Sequence, residues 1–91
     1  MSEPVVLAPK LDLAAASALL TSLRSHDAPE LVIEMSQVKH LGALCLQVLL
    51  AAAKTSNSQN RTMTLTNTSD RVIDQMRLMG MTPETIARGS A

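Results

Sequence analysis

Few side chains in this sequence can make or break bonds, and their spacing argues against it. The histidines His26 and His40 are 14 positions apart, and the lone cysteine, Cys45, lies five beyond His40. No H-x3-H, C-x2-C or HExxH spacing occurs, so no metal site is expected. A nucleophilic Cys45 would need a base and an electropositive setting; its neighbours Leu44 and Leu46 point to a small core residue instead. Glu34 could serve as a general acid or base only beside a second carboxylate, and none is near in sequence. It reads as an end-of-strand residue, and His40 as a solvated or hydrogen-bonded loop residue. The three glycines, Gly42, Gly80 and Gly89, cannot build a phosphate-cradling loop. Gly42 does open a helix whose N-terminal amides could hold an anion. The expectation is a chain that is not an enzyme and takes no cofactor.

These residues sit on a regular alternation of elements. Pro4–Ala8 has room for one short strand, hardly two, with Pro4 suited to its start or to a sheet edge. Asp12 is placed to cap a helix over Leu13–Arg24, in which Leu13, Ala16, Leu19, Leu20 and Leu23 make one apolar stripe. His26-Asp27-Ala28-Pro29 ends that helix. A strand Leu31–Met35, a loop Ser36–His40 and a helix Gly42–Ala53 follow, then a polar loop Thr55–Asn60. Thr62–Thr66 alternates as a half-buried strand. Ser69 caps a third helix with a Val72, Ile73, Met76 and Met79 stripe, closed by Gly80 in a left-handed conformation and the apolar contact of Met81. Thr82-Pro83-Glu84-Thr85 can start one more short turn. The predicted fold class is α/β: a small sandwich occupying residues 1–91 as a single domain, with a parallel or mixed sheet of three or four strands backed by about three helices.

Composition narrows the function further. The 91 residues carry no net formal charge and no aromatic side chain, although 46% are hydrophobic. Scattered Lys and Arg make no basic stripe for a phosphate backbone, and no Phe, Tyr or Trp is present as a base-stacking platform, so no nucleic acid is expected. The core must be built from aliphatic residues and six Met, which pack adaptably. One cysteine in an apolar run fits a reducing compartment. The opening MSEPVV lacks a basic and apolar leader pattern. The longest apolar run, Leu41–Ala53, falls short of the roughly 20 residues of a membrane span. A cytoplasmic protein without membrane insertion is expected.

The helix after Leu41 is apolar over an unusually wide arc. On a wheel, Leu41, Leu44, Cys45, Val48 and Leu49 face the sheet, Leu46, Leu50 and Ala53 lie partly round the side, and Gln47 and Lys54 mark the polar edge. Either a neighbouring helix covers Leu46 and Leu50, or the arc is partly exposed and docks a protein or a second copy of the chain.

Three segments in order resemble the STAS domain, the family of bacterial anti-sigma factor antagonists and of the cytoplasmic domains of sulfate transporters. Lys10-Leu11-Asp12-Leu13 is similar to the family's Gly-Glu-Leu-Asp lead-in to its first helix. Leu31–Val38 resembles the strand ending in Asp-Leu-Ser-x-Val. Ser69-Asp70-Arg71-Val72 with Gly80-Met81 resembles the last helix, Ser-Pro-x-Val through Gly-Leu. Where the family reads Met-Asp-Ser-Ser-Gly-Leu-Gly, this chain has Leu41-Gly42-Ala43-Leu44-Cys45-Leu46-Gln47. Ala43 thus takes the position of the phosphorylated switch serine, and Gly42 replaces the aspartate.

The resemblance implies a non-enzymatic regulatory adaptor in bacterial cytoplasmic signalling, working without a serine phosphoswitch. Its partner would be a sensory or chemotaxis kinase or a sigma-pathway protein. The alternative is an accessory subunit on the ATPase of a membrane transporter. The partner-binding residues expected are Ser36, Gln37, Lys39 and His40 in the loop, and Gly42, Ala43, Leu46, Gln47 and Leu50 on the helix. Ser36 and Thr55 are the neighbouring hydroxyls, read as ordinary loop residues.

Overall fold

A computed structural model describes residues 4–26 and 29–89. The expected stop at Asp27-Ala28 and the opening Met1-Ser2-Glu3 lie outside the described residues. Strand β1 is Val5–Val6 and β2 is Lys10–Leu11, so the first segment holds two strands of two residues each where one was expected. A 3-10 turn over Leu13–Ala15 leads into helix α1, Ala16–Arg24. Asp12 caps this start as its sequence position suggested, its carboxylate accepting the Ala15 N–H at 3.2 Å. Because the first turn is tight, Leu13 leaves the apolar stripe and is 77% exposed, while Ala16, Leu19 and Leu23 are buried.

Strand β3 is Glu30–Glu34, and a further two-residue strand, β4, is His40–Leu41, at the end of the expected loop. Helix α2 runs over Ala43–Ser58, β5 over Thr62–Thr66, α3 over Asp70–Leu78 and α4 over Pro83–Ala87. The β1, β3 and β5 strands make a three-stranded sheet with β3 in the middle, and β2 and β4 make a two-stranded one. Every pair is parallel: Ile33 pairs with Val5 on one side and Leu65 on the other, and Leu11 pairs with Leu41. Parallel neighbours need long crossovers, and α1 and α2 lie within them. This is the α/β sandwich that the sequence predicted.

Helix α2 corrects the sequence reading in two ways. Thr55–Ser58 continues the helix rather than starting a polar loop. Ser56 is buried in that extra turn, and its carbonyl accepts the Arg61 N–H at 2.8 Å. The buried side of α2 is Cys45, Leu46, Leu49, Leu50, Ala53 and Ser56. That stripe is rotated by about 100°, one residue, from the predicted one. Leu46 and Leu50 are core residues, only 3% and 8% exposed, because α2 packs against α1, α4 and β5 together. Each such side chain contributes roughly 1.5–3 kcal/mol on burial. Leu44, expected on the inner face, is instead 46% exposed.

The last third follows its local signals closely. Ser69 caps α3 by accepting the Val72 N–H at 3.3 Å, and Val72 and Met76 are its buried residues. Gly80 has φ +76°. Its N–H donates to the Arg77 carbonyl, and the Met81 N–H to that of Met76, each at 2.9 Å. That pair of bonds is the Schellman ending, and Met81 is buried behind it. Thr82 and Thr85 form a capping box around Pro83, confirming the predicted short helix. Among the described residues no helix is long and apolar enough to cross a membrane.

Candidate functional site

The C-terminal end of β3 leads into a loop held down at both ends by apolar anchors. Met35 and Val38 are buried, and between them Ser36 and Gln37 are exposed. The Met35 N–H donates to the Thr66 carbonyl at 2.9 Å, and the Val38 N–H to that of Met35 at 3.0 Å, closing the turn. Lys39 and His40 N–H groups both donate to the Pro9 carbonyl, at 2.7 and 3.1 Å. The residues read as a loop are therefore stitched to β3, β5 and the β1–β2 connection.

Glu34 supplies the electrostatic knot of this frame. Its carboxylate accepts the Ser36 N–H at 3.0 Å and the Asn67 amide at 3.0 and 3.2 Å, with the Thr66 hydroxyl at 3.4 Å. These donors stabilise the charged form, the Ser36 backbone first and the Asn67 side chain next, and hold its pKa below the usual 4.5. Glu34 is a structural acceptor, as its place at the strand end suggested, and at neutral pH it has no proton to give.

Gly42 forms the N-cap of α2 at φ −81°, without a side-chain cap. A Cβ there would stand 3.0 Å from the Leu11 carbonyl, the same oxygen that accepts the Gly42 N–H at 2.8 Å. Glycine allows β2 and the helix start to approach this closely. Behind it, the Cys45 thiol donates to the Asp12 carbonyl at 3.4 Å. Burial, with the Asp12 charge as a smaller contribution, pushes that thiol up from 9.0, so it is neither thiolate nor accessible. Cys45 is a core residue, as its neighbours indicated.

Of the nine predicted partner-binding residues, Ser36, Gln37, Lys39, His40, Ala43 and Gln47 are exposed and Gly42 is half-buried. Leu46 and Leu50 do not belong to this surface. Leu44 takes their place as the exposed apolar side chain of α2. The other residue that the sequence did not single out is Gln75 of α3. Its Oε1 accepts the Leu41 N–H at 2.8 Å, and its Nε2 lies 3.2 Å from His40 Nδ1. Gln75 locks β4 to α3 from 34 residues away in sequence, a separation that leaves no local pattern to find. Among the described residues no group of three or more His, Cys, Asp and Glu side chains could hold a metal ion. The result is a firm, mixed polar and apolar face around Ala43.

A family model described as "Mlab, STAS domain" matches residues 2–85. Comparison with curated proteins and with solved structures found no match. With nearly its whole length matched, and with the order of elements that the motifs implied, this chain belongs to the STAS domain family.

Proposed function

We propose that this protein is a non-enzymatic regulatory adaptor that binds a protein partner through the loop Ser36–His40 and the exposed start of α2. The observation that carries the reading is the switch position itself. Ala43 is exposed at the first residue of α2, beside exposed Leu44 and Gln47, and it has no hydroxyl to phosphorylate. Phosphorylation would bring nearly two negative charges to such a surface. Without it, the face keeps one charge state and binds constitutively. STAS domains are regulatory and interaction modules, and the partner proposed here is a sensory or chemotaxis kinase or a related switch protein. The ATPase of a membrane transporter is the second partner class.

Leu44→Asp tests the face without touching the core. Wild-type and variant protein, both shown to be folded, are used to capture partners from native lysate, and the captured proteins are identified. A signalling kinase or switch protein held by the wild type and lost with Leu44→Asp supports the adaptor. A transporter ATPase with the same dependence moves the role to the second class. Equal capture by both proteins removes this face from the mechanism, and phosphate found on the native protein within residues 36–43 removes constitutive binding.

A further inference from the structure

At the opposite end of α2, a cavity of about 580 Å³ opens between α1, the start of β3 and the last turns of α2. Its volume falls within the roughly 300–1,000 Å³ typical of small-molecule sites. Leu20, Leu23 and Leu31 supply an apolar wall, and Arg24, His26 and Arg61 stand at its polar side. Among the described residues no carboxylate lines it. Arg61 uses Nη1 to donate to the His26 carbonyl at 2.9 Å. Its Nε is buried and has no hydrogen-bond partner among the described residues, and the same holds for His26 Nδ1. Both residues line the cavity, while these two atoms are themselves closed to solvent, so a ligand there meets Arg61 through the rest of its guanidinium.

Charge bookkeeping favours an anion. The C-terminal ends of α1 and α2 lie at this pole and bring about half a negative charge each. Two guanidinium groups outweigh them. Arg61 presents the planar fork that suits a carboxylate or phosphate. The apolar wall requires the ligand to carry a tail as well. We propose that this cavity binds an amphipathic anion, its carboxylate or phosphate head on Arg61 and its aliphatic tail against Leu20, Leu23 and Leu31. The site lies about 20 Å along α2 from Ala43, so it is separate from the docking face.

The test is titration of the isotope-labelled full chain with decanoate and with decyl phosphate, below micelle-forming concentrations, reading the amides of Ser56, Gln59 and Arg61. Decanol and inorganic phosphate are run beside them. Both amphiphiles are expected to saturate these amides, with decanol and inorganic phosphate at least about tenfold weaker, the worth of a charge-assisted bond. Tighter binding of one amphiphile identifies the head group that the site selects. Arg61→Gln should weaken both amphiphiles by about tenfold or more and leave decanol unchanged. If that variant does not fold, exposed Arg24→Gln reads the same contact with a loss of about threefold. The proposal is overturned if decanol binds as tightly as decanoate, if neither arginine variant changes the affinity, or if the perturbed amides lie elsewhere.

Discussion

The two ends of α2 use their polar groups in opposite ways. At the N-terminal end most of the polar atoms are spent within the protein, buried Thr68 Oγ1 being an exception. Glu34 takes the Ser36 and Asn67 donors, Gln75 takes the Leu41 N–H, and the Pro9 carbonyl takes two more. At the C-terminal end, Arg61 donates to the His26 carbonyl beside a cavity, and its Nε and His26 Nδ1 have no partner among the described residues. A network satisfied internally fixes shape. That is what a docking surface for another protein needs, since little ordering is then left to be done on binding. Two guanidinium groups beside a concave, partly apolar space suit a small ligand instead.

The largest expected effect separates the buried and exposed sides at the first of these ends. Leu46→Asp puts an unpaired charge where 3% of the side chain reaches solvent, and should cost about 3–5 kcal/mol. That is a large share of the roughly 5–15 kcal/mol holding a domain together. Leu44→Asp, two residues away, should cost under about 1 kcal/mol while removing partner binding. Urea unfolding of both variants reads the difference. A Leu46→Asp protein as stable as wild type would mean that the exposed arc, one of the two alternatives left by the wheel, exists in solution.

That pair also marks where the sequence was readable. Asp12, Ser69 and Gly80 act through bonds spanning three to five residues, so residue type and spacing were enough to place them, and Pro83 marked the last short helix without revealing its Thr82–Thr85 box. The Thr62–Thr66 strand announced itself by alternation, and Met63 is its buried residue. The rotation of α2 was not legible, because Leu44, Leu46, Val48 and Leu50 are all apolar and the wheel has no clean polar side. What decides it is tertiary: α1, α4 and β5 flank the helix at once. The two-residue strands β2 and β4 carry too few residues for any period, and only their pairing with each other defines them. Gln75 and Arg61 act across 34 and 35 residues, beyond any local motif.

A smaller effect tests whether the docking face owes its shape to Gln75. Gln75→Ala removes the acceptor of the Leu41 N–H and should cost about 1–2 kcal/mol. Hydrogen exchange at Leu41 and His40 should quicken, while Ser56 and Gln59 at the other end of α2 keep their protection. Partner affinity should fall with it, because β4 then has to be ordered on binding. If exchange quickens equally at both ends, the two regions are one cooperative unit and the contrast between them fails.

The smallest effect is a pH response confined to one end. Glu34 has its pKa lowered by Ser36 and Asn67, so its contribution to stability is present above about pH 4.5 and is lost as pH falls through the lower folded value. The sign follows from proton counts: in that window the unfolded chain has bound a proton that the folded one has not. On acidification the amide signals of Ser36 and Asn67 should titrate together with a midpoint below 4.5. Those of Ser56 and Gln59 should not follow them. Glu34→Gln abolishes the loop titration and flattens the loss of stability with falling pH, because glutamine has no proton to gain. A Ser36 amide that titrates at or above 4.5 in the wild type would mean that these donors do not favour the charged carboxylate. The loop would then hold its shape through Met35, Val38 and the Pro9 carbonyl alone. In that case Glu34→Gln should leave partner affinity unchanged while Gln75→Ala still lowers it, and the docking face would rest on α3 rather than on the end of β3.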